Sequence, residues 1–134
     1  MKARDVMGRV RAPKKAAKAR DIALKLLSEE YSSFPVVDDD GSVVGIISEF
    51  DILKAVRAGK SLDEVTAGEL MTMEPHCVDV DMPVDDVIDL MTKTHLLRVP
   101  VVKDGRLVGS ISRSNLLDSL VSHEFKESFW ILRN

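Results

Sequence analysis

The sequence is two copies of one unit. Phe34-Pro35-Val36-Val37, Asp40-Gly41 and Val43-Val44-Gly45-Ile46-Ile47-Ser48 return as Val99-Pro100-Val101-Val102, Asp104-Gly105 and Leu107-Val108-Gly109-Ser110-Ile111-Ser112. The prolines Pro35 and Pro100 are 65 residues apart, whereas Gly45 and Gly109 are 64 apart, so the first turn carries one extra residue. Upstream, Val6-Met7 answers Leu70-Met71 at the same spacing of 64. A unit of about 60 residues buries too little apolar surface to be stable alone, so the two copies are expected to pack together.

Each copy reads as β-α-β-β-α. A short extended piece near Met7 or Met71 leads to an amphipathic helix. Its apolar positions are Ala19, Ile22, Ala23, Leu26 and Leu27 in the first copy and Val84, Val87, Ile88 and Met91 in the second. Two strands follow, joined by a turn with Asp-Gly, and a closing helix begins at Ser48 or Ser112. Gly59 is suited to end the first closing helix. Ser61-Leu62-Asp63-Glu64 has the form of a capping box and predicts a short linker helix. The expected class is mixed α/β (α+β), with two such repeats packed in pseudo-twofold symmetry. The expected divisions are 1–62 for the first repeat, 63–121 for the second with its linker helix, and an aromatic tail over 122–134.

Composition removes several functions. Apolar residues are 45% and charged residues 31% of 134, which suits a folded domain rather than a disordered one. No run approaches the roughly 20 apolar residues that span a bilayer. The N-terminus has charge without an apolar segment behind it, so no secretory signal is expected. The one cysteine, Cys77, suits a reducing cytoplasm. His and Cys are too few for a structural zinc site, and no metal is expected. No nucleophile–base pair is legible, so the expectation is a non-catalytic protein with no catalytic residues. Charge is split: residues 1–25 hold nine Lys/Arg against two acids, and the remainder ten against twenty. A solvated helix face around Lys14, Lys15, Lys18 and Arg20 explains the basic segment most simply. It could also attract ligand phosphates or dock on the acidic body of a second subunit. Nucleic-acid binding is disfavoured, because residues 1–25 contain no aromatic for base stacking.

The Pro-Val-Val, Asp-Gly, Val-Gly-Ile-Ile-Ser and Phe50-Asp51-Ile52-Leu53 elements resemble the CBS domain, the cystathionine-β-synthase-type regulatory repeat, over roughly residues 3–121. The resemblance implies a Bateman module: two repeats with two clefts between them that take AMP, ADP, ATP or S-adenosylmethionine. It also implies a flat homodimer acting on an effector protein. With no effector domain in its 134 residues, the chain resembles the stand-alone members. No cofactor is required on this view; an adenine nucleotide or S-adenosylmethionine is a regulatory ligand.

Ser48-Glu49-Phe50-Asp51 stands where a strand ends and a helix begins. Backbone N–H groups and the helix dipole favour an anion there, and a carboxylate can accept from both hydroxyls of a ribose. The same spacing serves as a helix capping box, and the two roles can coexist. By resemblance, Asp51 is the ribose contact. It would share the primary cleft with Arg98 for phosphate, His76-Cys77-Val78, and Ile47 and Val99 along the adenine slot. Arg98 could equally pair with a surface acid. The secondary cleft joins Ser112, Arg113 and Asn115 with Ser33, Val10 and Arg11. It is the weaker, because the Asn115 amide has one acceptor oxygen and no charge. Arg113 is either a phosphate partner or a solvated first-turn side chain. Cys77 reads as a packed side chain rather than a nucleophile. Met7 and Met71 read as interface packing, and Gly45 and Gly109 as places of close backbone approach. The tail, with Phe125, Phe129 and Trp130, should bury itself within the chain or in a dimer, in preference to docking on a partner. The leading function is therefore an adenosine-ligand sensor, and the runner-up a ligand-free dimerisation or adaptor module.

Overall fold

The computed structural model describes residues 1–29, 31–73 and 75–124; the aromatic tail from Phe125 onward lies outside the described residues. The mixed α/β class expected from the sequence is found, with two three-stranded sheets. The chain forms two compact units. One comprises residues 11–76 with 104–107; the other comprises residues 1–10, 77–103 and the chain from Val108. Among the described residues, no helix is long and apolar enough to cross a membrane.

The unit of residues 11–76 begins with helix α2 (Ala19–Glu29), the second helix after α1 (Ala3–Val6). Strands β1 (Ser33–Val37) and β2 (Val43–Ser48) follow, then α3 (Glu49–Arg57), α4 (Ala67–Leu70) and β3 (Thr72–Met73). The strands β1 and β2 are antiparallel, with Ser33 opposite Ser48 and Phe34 opposite Ile47. The extra residue of the first copy appears as a register shift between Val36 and Val37, next to the turn. Ile22, Leu26, Phe34, Val36, Ile47, Ile52 and Ala67 form the core, and Tyr31 packs edge-on against Phe34 at 5.5 Å. Leu27, expected on the buried stripe, is 74% exposed. One residue past Leu26 is a 100° step around the helix, which carries it off the narrow face that holds Ala19, Ile22 and Leu26.

Helix α3 ends as expected at Gly59, which has φ 82°. Lys60 N–H donates to Ala55 C=O and Gly59 N–H to Val56 C=O, the paired bonds of a Schellman end. Residues 61–64 turn instead of forming the predicted linker helix. Long-range bonds explain the difference. Arg20 N–H donates to Leu62 C=O and Ala19 N–H to Val65 C=O, and Ala67 N–H donates to Ala17 C=O. This strap buries Val65 and Ala67, a gain that outweighs one local turn of helix. Part of the basic segment is neutralised locally, with Lys14 3.3 Å from Asp39 and Arg20 2.9 Å from Asp63.

The other unit contains α1, β4 (Val78–Asp79), α5 (Val84–Thr94), β5 (Arg98–Lys103), all but the first two residues of β6 (Arg106–Ser112), and α6 (Arg113–Glu124). The strand β4 runs parallel to β5, and the sheet order is β4-β5-β6. The turn residues Asp104 and Gly105 have φ of 53° and 80°, the two positive values of a type I′ hairpin. Val78, Val87, Val99, Val101, Ile111 and Met91 are core residues, joined by Ala3 and Val6 from the N-terminus. Ala3 N–H donates to Met82 C=O and Arg4 N–H to Val80 C=O, which ties α1 to this unit.

Two electrostatic and backbone features of this unit yield tests. The Arg4 guanidinium lies 2.6 Å from Asp81, with Lys2 at 3.7 Å, and holds the Asp81 carboxyl below its ordinary value of 3.8. A depressed carboxyl stabilises the fold above the unfolded-state pKa and loses that contribution as pH falls through the folded value. Asp81→Asn should therefore lower the urea midpoint slightly at pH 7, and wild type and variant should converge as pH falls through the depressed folded-state value. Second, His95 closes α5 in the left-handed region, φ 55° and ψ 28°. His95→Gly should raise stability on the order of 0.5 kcal/mol, the relieved left-handed strain less the added chain entropy of glycine, read as a denaturation midpoint.

Candidate binding site at the strand–helix junctions

The β2–α3 junction is built by reciprocal hydrogen bonds. Asp51 Oδ2 accepts from Ser48 N–H at 2.8 Å and from the Ser48 hydroxyl at 3.1 Å, and Asp51 N–H donates to Ser48 Oγ at 3.3 Å. Ser48 is extended (φ −121°, ψ 169°), as an N-cap requires. The cap thus uses one carboxylate oxygen. Among the described residues no hydrogen bond is recorded to Oδ1, and Asp51 is only half-buried. A carboxylate so held keeps acceptor capacity for an outside donor. Glu49 N–H is taken by Ser32 C=O at 3.0 Å. Of the first three helix N–H groups, Phe50 N–H is the one that neither this bond nor the cap uses. The anion site at this helix start is correspondingly smaller than the sequence implied.

The β6–α6 junction repeats the design with a different chemistry. Asn115 Oδ1 accepts from Ser112 N–H at 2.9 Å, and Asn115 N–H donates to Ser112 Oγ at 3.0 Å. The donor on Ser112 is a backbone N–H, so the amide must present its oxygen. That oxygen is then engaged in the cap, and the free end of Asn115 is a donor NH₂. Arg113 N–H is taken by Leu97 C=O at 3.2 Å, matching the Glu49–Ser32 bond. The backbone of Gly8 runs beside Asn115: a Cβ built on Gly8 would lie 3.7 Å from Asn115 Oδ1.

The other expected residues fall as follows. Ser33, Ile47, Ser48, Asp51, His76 and Arg11 lie in the unit of residues 11–76. Val10, Cys77, Val78, Arg98, Val99, Ser112, Arg113 and Asn115 lie in the other. Ser33 faces Ser48 across β1 and β2. Arg98 is half-buried, and its Nη1 donates to Ser110 Oγ at 3.2 Å. Ile47, Val78 and Val99 are fully buried members of their units' cores. His76 and Arg113 are exposed. Arg11 is exposed and pairs with Glu29 at 3.2 Å. Cys77 is half-buried, and desolvation pushes its thiol pKa up, which suppresses the reactive thiolate. Among the described residues, no three His, Cys, Asp or Glu side chains gather to hold a metal ion.

Ser110 was missed by sequence reasoning. It is 1% exposed and anchors the Arg98 guanidinium. The signal was present in the repeat, because the first copy has Ile46 at the matching position, one residue after the glycine.

Comparison with known proteins adds the family. The chain is 34% identical over 101 residues to an uncharacterized protein of Methanopyrus kandleri, a match covering 74% of this chain and 52% of that one. The chain therefore spans about half the length of that relative. It resembles the solved structure of CBSX2 in complex with AMP at a TM-score of 0.80 and 25% identity, covering 92% of this chain and 98% of that one. It also resembles the CBS domain pair of protein MJ0100, solved with 5′-methylthioadenosine and S-adenosyl-L-methionine. That likeness has a TM-score of 0.75 and 28% identity, and covers 92% of this chain and 98% of that one. The family model for the CBS domain matches residues 14–58 and again residues 67–122. The duplication read from the glycine and proline spacing is thus a duplication of that domain, and the chain belongs to the CBS domain family.

Proposed function

We propose that this chain is a non-catalytic regulatory module that binds an adenosine-containing ligand in a cleft between its two repeats, 1–62 and 63–121. The carrying observation is Asp51: Oδ2 holds the helix cap, and Oδ1 has no recorded hydrogen bond among the described residues. On this reading Oδ1 accepts from a ribose hydroxyl, Ser48 supports it, and Arg98 supplies charge to a phosphate or carboxylate. The AMP bound to CBSX2 and the S-adenosylmethionine bound to the MJ0100 pair support that ligand class. The cleft around Asn115 is the weaker or silent one, since its acceptor oxygen is engaged in the cap. The ligand acts by favouring one arrangement of the repeats over another, for an effector protein to read. We place the protein in the cytoplasm.

Titration calorimetry with AMP, ADP, ATP, S-adenosylmethionine and NAD on wild type, Asp51→Ala and Arg98→Ala tests this. Binding of one ligand, weakened in both variants, is the expected result. No heat from any ligand at millimolar concentration would sink the reading.

A second observation favours self-association. Leu24, Leu27, Phe50, Leu53 and Val56, all on α2 and α3, are 52–74% exposed. So many large apolar side chains on one pair of helices suit a homodimer face. Leu53→Lys should then shift the sedimentation profile toward monomer. An unchanged profile argues for a monomer or for a different face. If no ligand binds, this face leaves dimerisation as the function.

A further inference from the structure

Arg98 and Ser110 make a contact for which the first copy of the repeat has neither member. Arg98 Nη1 donates to Ser110 Oγ at 3.2 Å, within one unit. The duplication has a spacing of 65 before the hairpin turn and 64 after it, so their counterparts are Ser33 and Ile46. Both positions change together between the copies. The copy with the guanidinium has the hydroxyl, and the copy without the guanidinium has an isoleucine there.

A hydroxyl at residue 110 needs a reason. Ser110 is 1% exposed and is the one buried residue with a polar side chain among the described residues. A buried hydroxyl costs free energy unless it is hydrogen-bonded, and Arg98 supplies that bond. The backbone around it is also fixed. Ser110 lies within β6 and exchanges hydrogen bonds with Gly8 at 2.8 and 3.1 Å. Its Oγ is therefore a stationary acceptor for the half-buried Arg98 on the neighbouring strand β5. An unanchored arginine gives up side-chain freedom each time it binds an anion. The bond to Ser110 meets part of that cost before any ligand arrives. It also sets the plane of the guanidinium, and it does not use the Nε–Nη2 edge with which a guanidinium can meet an oxyanion in bidentate fashion.

We infer that Ser110 is a positioning residue. It holds the Arg98 guanidinium for the anionic group of the ligand, and so sets a preference for adenosine ligands that carry a phosphate or carboxylate over neutral nucleosides. Ser110 has this role only if the adenosine reading holds, and it acts through Arg98 rather than on the ligand itself.

Titration calorimetry with two pairs of ligands tests this. AMP and S-adenosylmethionine carry an anion; adenosine and 5′-methylthioadenosine are their counterparts without one. The proteins are wild type, Ser110→Ala, Ser110→Thr, Arg98→Ala and the double variant with alanine at both positions. Far-UV circular dichroism and a urea midpoint verify each fold. Ser110→Ala should fold, because alanine needs no more room than serine. It should weaken the anionic ligand by about tenfold, in the range of one hydrogen bond to a charged group, and shift its neutral counterpart by less than about twofold. In the Arg98→Ala background the same change should alter affinity by less than about twofold, the non-additivity of two residues that act as a unit. Ser110→Thr retains an acceptor and should recover most of the loss. A residue with a packing role alone would lower the urea midpoint and affect charged and neutral ligands alike. Wild type that binds none of the four ligands sinks the adenosine reading and the role of Ser110 with it. Four results overturn the role of Ser110 alone: wild type that prefers the neutral ligands, Ser110→Ala that binds as wild type does, a loss from Ser110→Ala that persists in full without Arg98, or equal losses in Ser110→Ala and Ser110→Thr.

Discussion

An adenosine ligand at 100 times its Kd should raise the unfolding free energy of this protein by about 2.7 kcal/mol. Asp51→Asn should remove nearly all of that gain while leaving the unliganded stability almost unchanged. The repeat supplies the reason. Asn115 shows that an amide oxygen satisfies the cap as well as a carboxylate does, with Ser112 N–H at 2.9 Å against 2.8 Å for Ser48 N–H to Asp51. Asp51→Asn therefore keeps the helix start and loses only the charge and the spare acceptor. Asp51→Ala is a poorer test, because it also removes the cap. The converse substitution, Asn115→Asp, should keep the second cap and free an acceptor oxygen there. It is expected to add a second, weaker binding event. Thermal or urea unfolding with and without ligand reads both changes. An undiminished ligand response in Asp51→Asn would show that the diol is not what Asp51 holds.

How much of this was legible in the sequence follows from how local each feature is. The hairpins, the end of α3 at Gly59 and the junction boxes were readable because each is fixed by residues within a few positions of one another. The junctions could be singled out as candidate sites because they occur twice. What escaped depends on distant partners. The turn at residues 61–64 replaces a helix because Leu62 and Val65 bond to Arg20 and Ala19, some forty residues away. The placement of α1 beside residues 80–84 has no local signature, since it rests on Ala3 bonding to Met82 and Arg4 to Val80. Leu27 satisfies the helical period yet faces solvent, because periodicity names a stripe but not its width. That Asp51 spends Oδ2 on the cap is not legible in the sequence, as the spacing of a cap and of a diol contact is the same. Ile47, Val78 and Val99 are apolar enough to line an adenine slot, and their full burial ties them first to the cores.

Gly45 and Gly109 give the sharpest test of the close packing, because two physical arguments predict opposite signs. A glycine inside a strand costs chain entropy, so replacement by alanine in open space would stabilise by roughly 0.5–1 kcal/mol. Here the space is filled. A Cβ on Gly45 would lie 2.6 Å from Met71 Sδ and 2.8 Å from Thr72 O. A Cβ on Gly109 would lie 2.8 Å from Met7 Sδ and 2.9 Å from Gly8 O. The thioethers can swing aside, but the two carbonyls belong to paired backbone. Thr72 is in register with Ile46 on β2. Gly8 exchanges two hydrogen bonds with Ser110, at 2.8 and 3.1 Å. Relief therefore requires the segment at 72–73 or at residue 8 to move off its sheet. Each Gly→Ala substitution should destabilise by about 1–3 kcal/mol, the range for overpacking a filled site. Urea midpoints give the value. Adding Met71→Ala to Gly45→Ala should not restore wild-type stability, since the Thr72 carbonyl remains in place. Stabilisation by either alanine would mean that these backbones stand further apart than the close contacts at Thr72 O and Gly8 O imply. Gly8 passes Asn115, so Gly109→Ala should also disturb the β6–α6 junction. A loss confined to stability, with no change at Asn115, would separate the packing of that strand from the site beside it.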